Sequence, residues 1–457
     1  MERFDVIVIG SGSGMIVASA AVEQGFRTAV IEHGKMGGTC INVGCVPSKM
    51  LIYPADVVAT LNNAGKLGVH ATMDSVDFNN IMTRMHALVD RDSGDQAKAV
   101  EATPNLTWFK ETGEFISDYT MQVGLHTITS EKIFIVSGSR TGKPAIEGIE
   151  NIDYLTSDTV LELHTQPKSI LIIGGGYIGM EYGHFFSGIG TKTTILQRPY
   201  RVLPDEEQEI SELLHKEMQQ RMEIYTGFEV IEAKQEGELK TLIAKNRQDG
   251  SQKEFSAESV MVAAGRVSNS NILKPEKTGV QLDERGYIKV NEYLETSKKN
   301  IWAFGDAIGI QMFKHVANYE AGTVWHNAVH DHKVKMDFST APHAVFTHPQ
   351  VAAVGLTEEE AKQKKYKVLV GKALYKETAM GAAMGFPEGF VKVVIEQETG
   401  KILGGHIIGP EASILIQEII NAMVSETGDF SPIAQAMHIH PAIAEVVQNA
   451  FGNLRPA

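Results

Sequence analysis

One short pattern occurs twice in this chain and restricts its fold more than any other feature. An apolar run ends in a glycine-rich turn and leads into residues with helical spacing, first from residue 4 and again from residue 169. Such glycines let backbone amides approach a pyrophosphate at the positive end of the following helix. A further apolar strand pattern follows each unit, at residues 28–32 and 193–198. The repeat predicts an α/β protein with two Rossmann-like dinucleotide-binding domains.

The two glycine turns differ at their third position. The second turn has the full set: Gly174, Gly176 and Gly179. In the first turn Gly10 and Gly12 are in place, but Met15 stands where a small residue normally allows close packing of helix on strand. Gly14 is adjacent, and we expect it to compensate for Met15.

The residue that ends the second strand of each unit indicates which nucleotide binds. In the first unit this is Glu32, whose carboxylate can accept hydrogen bonds from the ribose of a dinucleotide without a 2′-phosphate. In the second unit Gln197 takes that place, followed by Arg198 and Arg201. An acid would repel a 2′-phosphate, whereas a neutral residue beside arginines can bind one. The second unit is predicted to favour NADP over NAD; the alternative is that these arginines are ordinary surface charges.

The two cysteines of the chain, Cys40 and Cys45, both follow the first glycine turn. In a regular helix their Cα atoms would lie roughly 8 to 9 Å apart, which is too far for a disulfide. The segment between them must therefore be distorted, and Gly44 supplies backbone freedom there. Pro47 favours a helix that starts near Cys45, where the helix dipole stabilises a thiolate. This pattern predicts a redox pair, and two unreactive core cysteines are the alternative.

A histidine and a carboxylate occur together near the end of the chain. Reduction of a disulfide needs a group that exchanges protons near neutral pH, and His440 with Glu445 five residues later can provide one. His438 lies two residues before His440. If both histidines shared one strand face, they could instead bind a metal or serve as structural residues. The lack of a third cysteine or a recognisable ligand cluster makes a metal site less favourable.

Composition excludes several classes of partner. With 457 residues the chain has room for about three domains. Its net charge of −14 gives no basic surface for nucleic acid or for an anionic membrane. The first residues lack the pattern of an export signal, and no apolar run approaches the ~20 residues of a membrane span. We therefore expect a cytoplasmic protein, where thiol pairs are more often catalytic than structural.

Strand and turn signals outside the two units indicate how the domains are arranged. Residues 115–138 and 256–265 predict strands that complete each nucleotide-binding domain. Residues 300–306 form another apolar strand pattern ending in Gly-Asp, which suggests that the chain returns to the first domain. The remainder alternates strand patterns, such as 345–347, with helical stretches and predicts a separate α+β domain. The predicted segments are 1–147 and 269–337 for the first nucleotide-binding domain, 148–268 for the second, and 338–457 for the last domain.

Taken together, these motifs resemble a known family of enzymes. The block 37–49, the two glycine turns, the Gly305-Asp306 pair and His440-Pro441 with Glu445 are similar to the pyridine nucleotide-disulfide oxidoreductases that carry a CxxxxC redox pair. That group includes dihydrolipoamide dehydrogenase, glutathione reductase and mycothione reductase. The resemblance covers essentially the whole chain. Three segments look most like the mycothione reductase branch, which also lacks the third glycine: 314–318, 345–357 and 439–442.

The resemblance implies cofactors, an assembly and roles for individual residues. It implies FAD in the first domain, NAD(P) in the second and a C-terminal interface domain that forms a homodimer. Cys45 would face the flavin and Cys40 the substrate, while His440 from the other subunit, oriented by Glu445, would act as acid and base. The His440-Pro441 bond becomes a candidate cis peptide. Tyr177 would gate the nicotinamide pocket, and an ion pair of Lys49 with Glu181 would lie beside the flavin.

The remaining cofactor contacts implied by the resemblance lie near the glycine turns and strand ends. They are Gly38, Thr39, Gly265, Arg266, Gly305 and Asp306, with Asp306 at the flavin ribityl chain. The implied activity passes a hydride from NADPH through FAD to the Cys40–Cys45 disulfide and on to a small-molecule disulfide. One alternative is a dihydrolipoamide dehydrogenase that uses NAD, and a second is a flavin-based metal or quinone reductase. A non-catalytic flavoprotein is disfavoured because all four catalytic residues are present.

Overall fold

The structure is a computed structural model that describes residues 1–386 and 388–457. The α-helices, in chain order, are α1 (Gly14–Glu23), α2 (Gly38–Asn42), α3 (Cys45–Asn63), α4 (Phe78–Ala102), α5 (Tyr177–Gly188), α6 (Gln208–Met218), α7 (Lys314–Val329), α8 (Glu358–Gln363), α9 (Ala379–Ala383), α10 (Ala412–Met423), α11 (Ser431–Gln435) and α12 (Glu445–Gly452). The strands are β1 (Glu2–Arg3), β2 (Val6–Ile9), β3 (Thr28–Ile31), β4 (Leu106–Phe109), β5 (Gly113–Ser117), β6 (Thr120–Val123), β7 (His126–Thr129), β8 (Lys132–Ile135), β9 (Ser139–Thr141), β10 (Ser169–Ile173), β11 (Lys192–Gln197), β12 (Glu223–Thr226), β13 (Phe228–Glu236), β14 (Leu239–Asn246), β15 (Gln252–Ala257), β16 (Ser259–Val262), β17 (Arg266–Ser268), β18 (Ile301–Ala303), β19 (Pro342–Val345), β20 (Gln350–Gly355), β21 (Val368–Leu374), β22 (Phe390–Glu396), β23 (Ile402–Gly409) and β24 (Arg455–Pro456).

The folded chain divides into two compact units, each built from separate segments. Each of these units is larger than the strand-turn-helix repeat that it contains. The first unit comprises Met1–Met50, Met82–Gly142 and Gly265–Phe338. The second comprises Leu51–Ile81, Lys143–Ala264 and Ser339–Ala457. The domain boundaries placed at residues 147, 268 and 337 from the sequence stay a prediction.

A five-stranded parallel sheet in the order β18-β8-β2-β3-β4 organises the first unit. Strand β2 is fully buried, which is why its sequence is a continuous apolar run rather than an alternating one. Strand β18 pairs with β8, with Ile301 opposite Ile133. The third segment of the unit thus completes the sheet that the first two segments begin.

The first glycine turn fits its helix onto the sheet through Gly14. Gly10 has a φ of +111°, and a Cβ there would lie 2.2 Å from the Val136 carbonyl oxygen. A Cβ on Gly14 would lie 2.8 Å from a methyl group of Val8. Met15 packs partly buried against the same core. The expectation that Gly14 compensates for Met15 is confirmed, because Gly14 is the residue at the close approach of helix to strand.

The second unit contains a parallel sheet in the order β12-β11-β10-β16, with α5 after the second glycine turn. A Cβ on Gly179 would lie 1.9 Å from the Gly174 carbonyl oxygen, so this turn uses the usual third glycine. The unit also holds the antiparallel sheets β13-β14-β15 and β19-β20-β23-β22-β21-β24. The α/β class with parallel nucleotide-binding sheets and a C-terminal α+β region is confirmed.

One strand differs from its prediction. Strand β19 ends at Val345, so the expectation that residues 346 and 347 continue the strand is wrong. The Phe346 amide donates to Oε1 of Glu181 at 3.0 Å, and the Thr347 hydroxyl donates to the Pro349 carbonyl at 2.7 Å. These bonds turn the backbone out of the sheet. Across the part of the chain that the structure describes, every helix is too short or too polar to cross a membrane.

Alanine substitution at two glycines should have opposite effects on stability. Gly14→Ala places a methyl group against Val8, and such overpacking costs about 1–3 kcal/mol. Gly94→Ala, inside α4 and with open space around its Cβ position, should stabilise by about 0.5–1 kcal/mol. Thermal unfolding of the two variants beside the wild type measures both effects. A Gly14→Ala protein as stable as the wild type would contradict the close packing described for the first turn.

Candidate redox site and coenzyme-binding turns

The two cysteines lie on either side of a break between two helices. Cys40 lies in α2 and Cys45 is the first residue of α3. At the break, a Cβ on Gly44 would lie 2.8 Å from the Thr39 carbonyl oxygen, so the backbone passes where other residues do not fit. The predicted distortion between the cysteines and the helix start at Cys45 are both confirmed.

The two sulfur atoms have different environments. Both cysteines are thiols in this structure, with Cys40 half-buried and Cys45 exposed. The hydrogen bond with Cys45, burial and the Cys45 charge raise the pKa of the Cys40 thiol, and the nearby Lys314 ammonium opposes them. Loss of the Cys40 proton is therefore disfavoured. Cys45 lies at the amino end of α3, where the helix dipole favours a thiolate.

Lys314 is a site residue that the sequence reasoning missed. It begins α7, and its Nζ donates to the Ser13 hydroxyl at 3.0 Å. The Ser13 hydroxyl in turn donates to Oδ1 of Asn318 at 2.9 Å. Burial lowers the pKa of Lys314, while the charges of the two cysteines oppose that shift. A lysine in the first turn of a helix opposes the helix dipole, and this unusual placement was the available sequence signal.

The Gly305-Asp306 turn is held by contacts on both sides. Gly305 has a φ of +66°, and its amide donates to Oε2 of Glu320 at 2.6 Å. The Asp306 carboxylate accepts a short hydrogen bond from the Ser139 hydroxyl and lies 3.7 Å from Nε of Arg266. Arg266 Nε also donates to the Ser139 hydroxyl at 2.7 Å. Asp306 and Arg266, both predicted at the cofactor, thus lie in one network.

Glu320 is an internal carboxyl group that no sequence motif identified. Its side chain is 0% exposed. Among the described residues, its Oε1 atom has no hydrogen-bond partner. Burial, together with the charge of Asp306, raises the pKa of Glu320 to about 7, although the Gly305 amide opposes the shift. This carboxyl group therefore changes charge close to neutral pH.

The first glycine turn fits a dinucleotide such as FAD. A Cβ on Gly12 would meet no atom within 4 Å, so there is room for a ligand beside its backbone. The Ser11 amide and hydroxyl donate to Oε2 of Glu32 at 3.1 and 2.9 Å, which holds the carboxylate at the end of β3. Gly38, next to Thr39 in α2, approaches closely enough that its Cβ would lie 2.7 Å from Cα of Gly12. Amides, open space and an acid at the ribose position are the features that an FAD adenosine half requires.

The second glycine turn has the same open position and an aromatic neighbour. A Cβ on Gly176 would meet no atom within 4 Å. Tyr177 begins α5, and its ring stacks on His343 with centroids 5.5 Å apart. His343 Nε2 lies 2.5 Å from Oε1 of the buried Glu206. Burial and the nearby Glu206 charge raise the pKa of Tyr177, so it remains a neutral phenol.

Gln197 and Arg198 have different surroundings at the end of β11. Gln197 is buried, its Oε1 accepts from the Gly175 amide at 2.8 Å and its Nε2 donates to the Arg201 carbonyl at 3.0 Å. Arg198 is 67% exposed and pairs with Glu229, with 3.0 Å between Nε and Oε1. Gln197 therefore ties the turn together, and Arg198 is the residue of the two that can reach a ligand.

His440 and Glu445 form the predicted pair. His440 Nδ1 lies 2.8 Å from Oε1 of Glu445, and the Ala442 amide donates to Oε2 of Glu445 at 3.0 Å. The hydrogen bond with His440 lowers the pKa of Glu445. The His440-Pro441 peptide is cis, which confirms that expectation. The His440 side chain is 73% exposed in the single chain.

The alternative that His438 and His440 share a strand face is wrong. Residues 436–440 form a loop, and His438 Nε2 pairs with Oε1 of Glu418 at 2.7 Å. Each histidine thus has a different acid. Within residues 1–386 and 388–457, no cluster of three His, Cys, Asp or Glu side chains is placed to hold a metal ion.

The predicted site residues fall into both units. The first unit holds Gly10, Gly12, Gly14, Glu32, Gly38, Thr39, Cys40, Cys45, Lys49, Gly265, Arg266, Gly305 and Asp306. The second unit holds Gly174, Gly176, Tyr177, Gly179, Glu181, Gln197, Arg198, His440 and Glu445. The Lys49–Glu181 ion pair joins residues of different units and stays a prediction.

Comparisons with known proteins agree with the resemblance drawn from the motifs. The family model for pyridine nucleotide-disulphide oxidoreductases matches residues 4–331, and the model for the dimerisation domain of that family matches residues 341–451. Mycothione reductase of Mycobacterium tuberculosis (strain ATCC 25618 / H37Rv) is 34% identical over 466 aligned positions, covering 100% of both chains. Dihydrolipoyl dehydrogenase of Bacillus subtilis (strain 168) is 30% identical, covering 98% of this chain and 97% of its own.

A solved structure extends the comparison to the fold. The Cu(II) complex of the HOCl-induced flavoprotein disulfide reductase RclA from Escherichia coli superimposes with a TM-score of 0.88. It is 25% identical and covers 99% of each chain.

The Glu320 carboxyl group should make stability fall as pH rises. Its pKa is about 7 when folded against a usual 4.5, so the folded protein holds a proton that the unfolded chain has lost. The contribution of Glu320 to the free energy of unfolding is fully present below about pH 4.5. It falls by about 1.4 kcal/mol per pH unit from there to about pH 7. Glu320→Gln removes this loss, because its carbonyl still accepts from Gly305 and carries no charge. The unfolding temperature of Glu320→Gln minus that of the wild type should therefore increase from pH 5 to pH 8. The exposed Glu131→Gln serves as control, and a Glu320→Gln difference independent of pH would contradict the buried charge.

Proposed function

The chain belongs to the pyridine nucleotide-disulphide oxidoreductases and is an FAD-dependent enzyme acting on sulfur groups, and we propose that it uses NADPH to reduce a small-molecule disulfide. The observation that carries this proposal is the asymmetry of the cysteine pair: Cys40 is half-buried in α2, whereas Cys45 is exposed at the amino end of α3. Such a pair keeps one sulfur for the flavin and the other for exchange with a substrate.

The chain provides contacts for FAD along its first unit. The Gly10–Gly14 turn would hold the pyrophosphate, Glu32 the adenosine ribose and Asp306 the ribityl chain. When bound, FAD supplies the two-electron chemistry that connects a reduced nicotinamide with a disulfide. Lys314 places an ammonium group near the cysteines, where it stabilises a thiolate.

The reduced cysteine pair transfers two electrons to the substrate in two exchanges. The Cys40 sulfur attacks one sulfur of the substrate disulfide, forms a mixed disulfide with that half and expels the other half as a thiolate. The Cys45 thiolate then attacks the Cys40 sulfur, closes the Cys40–Cys45 disulfide and releases the second thiolate. One disulfide is reduced while another forms.

The raised pKa of Cys40 gives His440 its proposed role. A thiol that keeps its proton at neutral pH needs a base when it attacks, and the departing thiolate needs an acid. His440 can take the Cys40 proton and pass it to the leaving thiolate, while Glu445 holds its ring through Nδ1. We assign this histidine to the active site of the partner in a homodimer. The matching dimerisation domain and the exposure of His440 support that assignment.

Two other functions have specific support. Similarity to dihydrolipoyl dehydrogenase supports oxidation of dihydrolipoyl groups with NAD, the reverse direction. Similarity to RclA, which forms a Cu(II) complex, supports contact with a metal ion, and reduction of such an ion by the flavin is the further activity to test. We favour NADPH and a disulfide because Gln197 stands where an acid would repel a 2′-phosphate and Arg198 stands next to it.

A substrate screen with cysteine variants tests the proposed function. We expect the purified holoenzyme to oxidise NADPH faster than NADH with at least one of glutathione disulfide, coenzyme A disulfide, mycothiol disulfide or lipoamide. Cys40→Ser and Cys45→Ser should each abolish disulfide reduction, because serine cannot form the disulfide. Reduction of Cu(II) or a quinone should survive Cys40→Ser. Faster NAD-linked oxidation of dihydrolipoamide than any NADPH reaction would favour the dehydrogenase instead.

Removal of the proposed acid and base should slow exchange with the disulfide. His440→Ala should lower the turnover of the disulfide by about 10²–10⁴, the usual range for a general acid or base. Glu445→Gln should cause a smaller loss, since it keeps an oxygen near Nδ1. Quinone reduction should be unchanged in both variants. His438→Ala, which alters a histidine paired with a different acid, is the matched control. Equal losses in His438→Ala and His440→Ala would remove the basis for assigning His440.

A further inference from the structure

We propose that Arg247, which follows β14 in the turn to β15, binds the 2′-phosphate of NADPH together with Arg198. This inference rests on the proposed use of NADPH. A glycine-turn pattern alone would place coenzyme specificity at the end of β11. Arg247, which lies about fifty positions further along the chain, shares that role in this proposal.

Main-chain bonds place Arg247 at the coenzyme edge of the second parallel sheet. The Arg247 amide donates to the Gly227 carbonyl at 2.8 Å, and the Gly227 amide donates to the Pro199 carbonyl at 2.8 Å. Gly227 follows the end of β12, and Pro199 lies two residues after the end of β11. In doubly wound sheets, ligands bind outside the carboxyl ends of the strands. Arg247 is therefore fixed beside the strand end that meets the adenosine ribose.

The guanidinium of Arg247 is oriented by two contacts. Its Nη1 donates to the Arg198 carbonyl at 3.2 Å, and its central carbon lies 5.3 Å from the centroid of the Tyr200 ring. Tyr200 in turn lies over Gly227, where a Cβ would come within 2.9 Å of the ring. A guanidinium has five N–H donors, and the bond to Arg198 uses one. The group is thus positioned before an anion arrives.

The charges around Arg198 explain why a second arginine is needed. Glu229 pairs with Arg198 at 3.0 Å, and its carboxylate would repel an incoming phosphate. Gln197 is buried and bonded to Gly175 and Arg201, so it donates to the turn rather than to a ligand. Arg247 restores a net positive charge at the cluster. Bidentate binding of phosphate by guanidinium groups then favours the 2′-phosphate over a plain ribose hydroxyl.

Arg247→Met tests the inference, because methionine keeps much of the stem over Tyr200 and removes the charge. We expect the KM for NADPH to rise about tenfold or more with kcat little changed, and the KM for NADH to stay constant. Binding of adenosine 2′,5′-bisphosphate to the holoenzyme, measured by calorimetry, should weaken by a similar factor, whereas binding of AMP should not change. Glu229→Gln should lower the KM for NADPH. Lys253→Met is the matched control, since Lys253 lies on β15 and its Nζ is 4.2 Å from the centroid of the Tyr225 ring on β12.

The outcomes separate this inference from the proposed function. A wild type that prefers NADPH, with an Arg247→Met variant that keeps both its KM for NADPH and its affinity for the bisphosphate, would overturn the role of Arg247 and leave the proposed function intact. A wild type that prefers NADH and binds the bisphosphate no better than AMP would overturn both. Equal loss of NADPH affinity in Arg247→Met and Lys253→Met would also overturn the inference, since a general loss of positive charge would then explain it.

Discussion

The break in the backbone between Cys40 and Cys45 is the constraint on which the redox site depends. An unbroken helix would hold the Cα atoms roughly 8 to 9 Å apart, outside the range of a disulfide. Gly44 lets the backbone pass the Thr39 carbonyl, and α3 then begins at Cys45. The same break that permits a disulfide also places one sulfur at a helix amino end. The different chemistry of the two cysteines follows from this single feature of the backbone.

Helix α7 connects the cysteine pair with the Gly305-Asp306 turn. Its first residue, Lys314, lies near both sulfur atoms, and Glu320 further along accepts from the Gly305 amide. A lysine at the amino end of a helix is unfavourable by itself, because it faces the positive end of the dipole. A neighbouring thiolate offsets that cost, so an ionised cysteine and the protonated Lys314 stabilise each other. Burial raises the pKa of Glu320 to about 7, so the carboxyl group that holds the Gly305 amide changes charge near neutral pH.

Local sequence patterns predicted the glycine turns and the start of the cysteine helix. Features that depend on contacts between distant residues were not predicted. The glycine turns and the helix start at Cys45 each depend on a few adjacent residues, and the sequence was sufficient for them. The cis peptide at His440 was expected from the family resemblance and not from its neighbours. Residues 346 and 347 were predicted as strand because apolar character does not reveal a hydrogen bond to Glu181. Lys314 was missed because its partner Ser13 is 301 positions away. A contact at that separation leaves no periodic signal in the sequence.

Coenzyme selection shows the difference between residue type and residue orientation. The pattern at the end of β11 identified Gln197 by its lack of charge, but its amide is used within the turn. Selectivity for a phosphate is a difference between two binding free energies, and a nearby acid reduces that difference because its charge repels the phosphate. Glu229 neutralises Arg198 when no phosphate is present, and a ribose hydroxyl is too weak an acceptor to displace a carboxylate from a guanidinium. A dianionic phosphate can do so if a second cation compensates for the carboxylate, and Arg247 is already held beside Arg198. Under the role proposed for Arg247, these three charged groups would discriminate between coenzymes as one cluster.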